Sequence, residues 1–382
     1  MRSLTQAAVG RKDVQAKSPA QFNENATPRS PPMSFTVTVQ PSGRKFDVDR
    51  DEPILAAAIR QGVGLPYGCK DGACGSCKSR MLEGRVIHGV HQSKALSAEE
   101  EAAGWILTCQ AAPQTAVVIE ARTVPGAGEF AIRKMPSRVT TITRPAPDVA
   151  VLQMQLPAND RLQYHAGQYV EFILRDGSRR SYSMANAPHT QIDKPGIELH
   201  VRHLPGGKFT DHVFTAMKEK DILRMEGPFG SFFLREDSTK PMILLASGTG
   251  FAPIKAIIEH LQWKHGQDKS QARPTVLYWG CRSKADLYMH EWAQQAAKSL
   301  PNLSYIPVLS EPKPEDAWTG RTGLVHQAVM HDHPNLMNHQ VYACGAPIMV
   351  ESAQHDFVVK CGLPDDEFYA DAFTSEADKH GA

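Results

Sequence analysis

Cys69-Lys-Asp-Gly-Ala-Cys74-Gly-Ser-Cys77 is the stretch on which the reading turns, and a fourth cysteine follows in Trp105-Ile-Leu-Thr-Cys109. A C-x4-C-x2-C run with one distant cysteine is the spacing of a loop that wraps a [2Fe–2S] cluster. Four thiolates must converge on two irons, so the loop has to be compact. Gly68, Gly72 and Gly75 allow the curvature and open backbone N–H groups toward the bridging sulfides. Zinc is the rival reading, but structural zinc sites pair cysteines in two separate knuckles, and here three crowd one loop. The expected ligands are Cys69, Cys74, Cys77 and Cys109. Of the remaining thiols, Cys281 and Cys361 read as structural.

Working toward the amino terminus, Ser34–Gln40 and Arg44–Asp49 alternate like strands around Pro41-Ser-Gly43, which makes a hairpin. Pro53 to Gln61 reads as a short helix closed by Gly62. Beyond the loop, Lys78–Leu82 and Ala116–Ala121 read as strands. Ser97-Ala-Glu-Glu100 reads as a capping box. These elements make one small α+β unit over residues 33–124. Residues 1–32 carry Pro19, Pro28, Pro31 and Pro32 without apolar periodicity, and are expected to be a disordered arm. The arm has no apolar stretch for a secretory signal; its mild basic charge leaves a weak organelle-targeting reading, against which Met33 as the true start, with the arm an upstream extension, is preferred.

Toward the carboxyl terminus, Val124–Gly128 reads as a linker. Short strands separated by turns then fill residues 129–236: Arg138–Ile142, Val149–Leu156, Tyr169–Leu174, Arg180–Met184, Ile197–His203 and Ile222–Glu226. That texture predicts an antiparallel β-barrel. From residue 238 to 382 the pattern changes. Met242-Ile-Leu-Leu-Ala246 is a continuous apolar run, as in a strand buried on both faces, and strands alternate with helices from there on. The expectation is a doubly wound α/β unit.

The whole chain has 382 residues, 41% hydrophobic and 22% charged, which excludes wholesale disorder. Its 42 basic and 41 acidic residues leave a net charge of +1. Binding to nucleic acid or a membrane surface by bulk charge is therefore not expected. The apolar run at 242–246 is far below the roughly 18 residues of a spanning helix. Cysteines spaced for metal favour a reducing compartment, hence a cytoplasmic location.

Two further motifs carry chemistry. Arg180-Ser-Tyr182-Ser183 puts a cation, a ring and a hydroxyl on one strand. Arg180 suits a pyrophosphate, Tyr182 a flavin face and Ser183 the flavin N5 edge. Support comes from Val201 on the next strand and from Gly207, Lys208 and Thr210, a G-x-x-T element that can open a helix toward phosphate at Asp211–Met217. Alone, R-x-Y-S is a short motif that a barrel strand with one core tyrosine also satisfies. Gly248-Thr249-Gly250-Phe-Ala-Pro253 follows the buried strand and opens a helix, the context of a dinucleotide loop, although Pro253 replaces the third glycine of G-x-G-x-x-G. Arg282 ends one downstream strand, and Cys344-Gly345 ends another at the sheet edge where ligands bind.

In that order, the cysteine loop, R-x-Y-S, G-T-G-x-A-P and C-G-x-P resemble the iron–sulfur flavoprotein reductases of the ferredoxin–NADP reductase superfamily that carry an amino-terminal plant-type ferredoxin unit. The resemblance implies a β-grasp cluster unit, a flavin barrel and a nucleotide unit, with one [2Fe–2S] cluster, FAD and NADH or NADPH, leaning to NADH. It implies that Arg180, Tyr182 and Ser183 bind flavin. It places Gly248, Thr249, Gly250, Arg282, Cys344, Gly345 and Phe373 at the nucleotide site, with Ser183, Cys344 and Phe373 at the reacting centre. The acceptor would be a one-electron partner protein, a sugar dehydrase or an oxygenase. A redox sensor without turnover and a free-standing flavin or quinone reductase are the alternatives.

Overall fold

The computed structural model describes residues 34–192 and 195–374. The arm expected over 1–32 lies outside the described residues. Three main sheets are built in chain order.

The first follows from the alternation that opens the described chain. β1 (Ser34–Gln40) and β2 (Arg44–Asp49) pair antiparallel, with Val37 opposite Phe46. Val37, Val39, Phe46 and Val48 turn inward onto α1 (Ile54–Arg60), which buries Ile54, Leu55, Ala57 and Ala58. After the cysteine loop come β3 (Lys78–Glu83), β4 (Val86–His88), α2 (Ala98–Ala102), β5 (Trp105–Leu107), β6 (Ala111–Pro113) and β7 (Val117–Glu120). The sheet order is β2-β1-β7-β3-β5, with β1 and β7 parallel, and β4 pairs with β6 apart from it. The capping box expected at Ser97 is present with both of its hydrogen bonds.

The second sheet is antiparallel: β8 (Arg133–Ala146), β9 (Val149–Gln155), β10 (Tyr169–Ile173), β11 (Arg179–Ser183), β12 (Gly196–Arg202) and β13 (Ile222–Phe229), in the order β11-β10-β13-β8-β9-β12. β8 is 14 residues long, well beyond the expected Arg138–Ile142. Its first half pairs with β13 and its second with β9, so one strand serves two neighbours. An isolated antiparallel bridge between Met184 and Leu199 joins the two edges of the sheet. α3 (Lys208–Thr215) starts three residues before the expected Asp211, because Gly207 already caps it.

The third sheet is parallel throughout: β14 (Met242–Ser247), β15 (Thr275–Cys281), β16 (Leu303–Leu309), β17 (Arg321–Thr322), β18 (Gln340–Gly345) and β19 (Phe368–Ala372), in the order β17-β16-β15-β14-β18-β19. The apolar run of β14 splits by parity. Met242, Leu244 and Ala246 face α4 (Phe251–Gln267) and α5 (His290–Ser299). Ile243 and Leu245 face α6 (Val325–Asp332) and α7 (Pro347–Cys361). The chain winds outward from β14 to β17, then returns to β18 on the other side of β14. The loops leaving β14 and β18 therefore part at their carboxyl ends, and a crevice opens where strand order reverses.

Candidate functional site

The cysteine loop is shaped before any ligand is considered. Gly72 has φ of +81°, and a Cβ there would lie 2.9 Å from the Val90 carbonyl oxygen and 3.0 Å from Gln110 Cγ, so only glycine fits. Cys77 sits immediately before β3 and Cys109 just after β5. Thr108 holds them together by donating its N–H and its hydroxyl to the Cys77 carbonyl at 3.3 and 3.2 Å. The thiols face one another two by two. The Cys74 contact, with burial, drives Cys69 upward, the same contact holds Cys74 below its usual value, and the Cys77 contact drives Cys109 upward. Cys69 N–H also donates to Cys74 Sγ at 3.4 Å. Among the described residues no three His, Cys, Asp or Glu side chains converge on one point as a single ion requires. Cys109 also feels the Cys69 and Cys74 thiols, so the two pairs lie side by side, a donor set that suits two irons with two thiolates each.

One cleft of about 1120 Å³ runs from this loop to the end of β14. It is lined by Gly68, Cys69 and Asp71 of the loop, by Arg180, Tyr182 and Ser183 of β11, and by Gly248, Thr249, Arg282, Gly345 and Phe373 of the parallel-sheet unit. Tyr182 packs its ring on Phe209 at 4.9 Å between centroids. Arg180 and Lys208 lie along the wall, with Lys208 Nζ 2.6 Å from Asp176 Oδ2. Gly207 and Thr210 line the cleft too, but the Thr210 hydroxyl turns back and donates to the Leu204 carbonyl at 2.8 Å. Ser247 Oγ accepts from Ala346 N–H at 2.9 Å, and Trp279 Nε1 donates to the Gly248 carbonyl at 3.0 Å, which pins the glycine turn.

Four residues singled out in the sequence lie behind the wall rather than on it. Val201 is fully buried in the core of the antiparallel sheet, because β12 sends Ile197, Leu199 and Val201 inward and His200 and Arg202 toward the cleft. Gly250 underlies the turn, where a Cβ would stand 2.2 Å from the Cys344 carbonyl oxygen. Pro253 is buried in the first turn of α4, and Cys344 is fully buried beneath the floor. Burial pushes the Cys344 thiol far up, and its Sγ is 4.0 Å from Asp371 Oδ2.

Sequence reasoning missed three groups here. Asp371 is buried and accepts from Ser183 Oγ at 3.1 Å, and burial pushes its carboxyl up to about 7. Its sign was a carboxylate inside the apolar run Phe368–Phe373, on the parity of Tyr369 and Phe373. Arg202 lies 3.3 Å from Asp148 Oδ2 through Nε and 4.0 Å from Asp286 Oδ1 through Nη2, and that buried Nη2 has no hydrogen-bond partner among the described residues, which leaves a donor unused at the cleft wall. Lys255 interrupts the apolar start of α4. It is buried, with Nζ 3.1 Å from both Glu198 Oε1 and the Ala185 carbonyl, and it also reaches Glu259. Burial pushes Glu198 up, but His200 and Lys255 outweigh it and hold Glu198 down at about 2.

A thiolate loop for two irons, an R-x-Y-S strand and a glycine turn at a strand-order reversal, all opening on one cleft, define an iron–sulfur flavoprotein oxidoreductase. Comparison with known proteins agrees. Residues 37–114 match the 2Fe-2S iron-sulfur cluster binding domain, 136–234 the oxidoreductase FAD-binding domain and 244–355 the oxidoreductase NAD-binding domain. The CDP-6-deoxy-L-threo-D-glycero-4-hexulose-3-dehydrase reductase of Yersinia pseudotuberculosis is 39% identical over 89% of this chain and 99% of its own. Reductase component 1 of the terephthalate 1,2-dioxygenase of Comamonas sp is 35% identical over 91% of this chain and 100% of its own. The crystal structure of the Amycolatopsis cytochrome P450 reductase GcoB superposes with a TM-score of 0.72 at 33% identity, covering 89% of this chain and 99% of that one. The chain belongs to the iron–sulfur flavoprotein reductases of the ferredoxin–NADP reductase superfamily. It is an NAD(P)H-dependent enzyme that passes electrons through FAD and a [2Fe–2S] cluster to an acceptor. No helix among the described residues is long and apolar enough to cross a membrane.

Proposed function

We propose that this chain is a cytoplasmic reductase that supplies electrons from NADH to a CDP-6-deoxy-hexulose dehydrase, in the manner of a CDP-6-deoxy-Δ3,4-glucoseen reductase. The observation that carries this reading is the 39% identity, over 99% of its length, to a relative named for that dehydrase. The bound groups supply the redox chemistry, hydride acceptance by the flavin and one-electron storage by the cluster. The chain's own work is placement. Residues 33–124 act as a β-grasp cluster unit with Cys69, Cys74, Cys77 and Cys109 as ligands. Residues 129–236 act as a flavin barrel, a reading supported by the Met184–Leu199 bridge between its edge strands. Residues 238–382 act as the nucleotide unit.

Within the cleft, Arg180 neutralises flavin phosphate and Tyr182 walls the ring. Gly207 and Lys208 border the phosphate end, Thr210 braces their turn through its hydroxyl on Leu204, and Val201 supports the strand from behind. Ser183 presents its hydroxyl to the reacting edge, held by Asp371. Gly248, Thr249 and Gly250 let the nucleotide approach the backbone at a turn that Pro253 stiffens, and Arg282 and Gly345 flank it. Phe373 shields the ring face, and Cys344 backs it. NADH is the favoured donor. The Asp286 carboxylate, held by Ser283 N–H and Oγ at 2.9 and 3.0 Å, lines the cleft beside Arg282 and opposes a ribose 2′-phosphate. A preference for NADPH above about tenfold in kcat/KM would reverse that choice.

The deciding experiment mixes the purified protein with a CDP-6-deoxy-hexulose 3-dehydrase and its CDP-sugar, then follows NADH oxidation. Oxidation that depends on both dehydrase and sugar is the expected result. The second reading, reductase component of a ring-hydroxylating oxygenase, rests on the 35% identity to the terephthalate dioxygenase reductase. Transfer to an oxygenase component with none to the dehydrase would establish it instead.

A further inference from the structure

Beside the cysteine loop lies a charge cluster that neither the ligand set nor the nucleotide cleft employs. β10 and β13 place Glu171 opposite Glu226, and like charges directly across a sheet repel. Arg179 on β11 answers with one cation, its Nη1 2.9 Å from Glu171 Oε2 and also in contact with Glu226. Two carboxylates and one guanidinium leave this patch of the sheet one positive charge short. The missing charge comes from the cysteine loop. Lys70 Nζ lies 2.9 Å from the other oxygen of Glu171 and 3.5 Å over the centre of the Phe229 ring. Glu171 is buried, and Lys70 keeps only 22% of its side chain exposed.

The backbone shows that this contact is held against resistance. Lys70 has φ of +66°, the left-handed region that costs a residue with a Cβ. The preceding residues are gripped by β10 and by the turn that follows β13. Tyr169 OH donates to the Gly68 carbonyl at 2.8 Å, and Ser231 Oγ accepts from Tyr67 N–H and donates to the Tyr67 carbonyl, both at 2.9 Å. Residues 67, 68 and 70 are thus fastened on either side of Cys69, which itself lines the flavin cleft. A buried ion pair is a costly way to gain stability, and its best-attested use is to specify one arrangement.

We propose that Lys70 is a positioning residue for electron transfer. Its ammonium, socketed between Glu171 and the Phe229 ring, fixes the Cys69 arm of the cluster loop against the flavin cleft. This rests on the cluster and flavin assignments above.

The test uses the full-length holoenzyme as Lys70→Met, Lys70→Arg, Glu171→Gln and the Lys70→Met/Glu171→Gln double variant. Iron, acid-labile sulfide and flavin are quantified first, so that a failure of the cofactor assignments shows in the wild-type protein and is separate from a change in rate. Rapid mixing with NADH then resolves flavin bleaching from cluster reduction, and ferricyanide turnover reports the flavin alone. Lys70→Met is expected to slow cluster reduction at least ~10-fold, in line with the cost of small misplacements, while ferricyanide turnover and nucleotide KM stay within about twofold. Lys70→Arg should recover most of the rate, and the double variant should be no slower than Lys70→Met. If Lys70→Met loses its cluster, Glu171→Gln carries the test, since it leaves the loop sequence intact. Wild-type cluster reduction in the loaded variants would overturn the proposal. So would a parallel fall in ferricyanide turnover, which would make the lysine a prop of the fold.

Discussion

Two partly or wholly buried lysines hold the antiparallel sheet to its neighbours, and they do so differently. Lys255 comes from the nucleotide side and is 5% exposed in its side chain, meeting two carboxylates, a carbonyl and, at 5.1 Å, the Trp292 ring. Lys70 comes from the cluster side, keeps 22% exposure and meets one carboxylate and a ring. The first contact is saturated and dry, the mark of a permanent seam. The second lies at the rim of a cleft beside a cluster ligand, where position matters more than cohesion. Asp371 supplies the contrast, a buried carboxyl whose neighbours are a hydroxyl and a thiol, and its pKa rises where that of Glu198 falls.

The largest effect should come from the cluster side. Cys74→Ser should abolish the visible cluster spectrum and cytochrome c reduction, while ferricyanide turnover survives. Full acid-labile sulfide in the variant would show that the ligand set is wrong.

On the nucleotide side the expected loss is stability. Removing Lys255 leaves Glu198 to His200 and Gln153 and Glu259 to the Ala187 N–H, each short of its buried ammonium, and breaking a buried pair costs about 3–5 kcal/mol. Lys255→Met should therefore lower the urea unfolding free energy by that amount. A loss below about 1 kcal/mol, the size typical of exposed pairs, would erase the distinction between the two lysines.

Asp371 sharpens the same contrast through pH. Its folded pKa stands at about 7 against the 3.8 of a free aspartate, so between those values the folded state binds the extra proton. Stability then falls as pH rises through that window and levels off above about pH 7. Asp371→Asn should remove the slope. The variant should gain on wild type by on the order of 2 kcal/mol between pH 5 and pH 7. Parallel stability curves would mean that the carboxyl titrates normally.

The smallest effect belongs to a helix that touches neither seam. Ser97→Ala breaks the capping box of α2, whose residues are all at least partly exposed. A cost of about 1 kcal/mol in unfolding free energy, with unchanged electron transfer, is expected. A change in cluster reduction rate would tie α2 to the cluster loop.

Local pattern made much of this legible. The cysteine spacing, the β1–β2 hairpin and the parity of β14 are each written within a few residues. What stayed hidden lies across the chain. Lys70 meets Glu171 a hundred residues away, and Ser183 meets Asp371 at a separation of 188. No short motif records such pairings, though a lone charge in an apolar run, as at Lys255 and Asp371, is a readable warning. β8 outran its expected length because its two halves serve different partners, which composition does not encode. The segment Val124–Gly128 read as a linker from its glycines and proline, yet Val124 and Ala127 are buried with Phe233, and Val124 N–H donates to the Gly64 carbonyl at 2.9 Å.

That packed segment bears on interchange of parts. A foreign [2Fe–2S] unit spliced on at Gly128 would arrive without mates for Phe233, Ser231 and Glu171, and the sheet would be left with a buried carboxylate facing a mismatched surface. A graft that keeps transfer has to carry Gly64, Tyr67, Gly68, Lys70, Val124 and Ala127 together, as one transplantable footprint rather than as a module on a string.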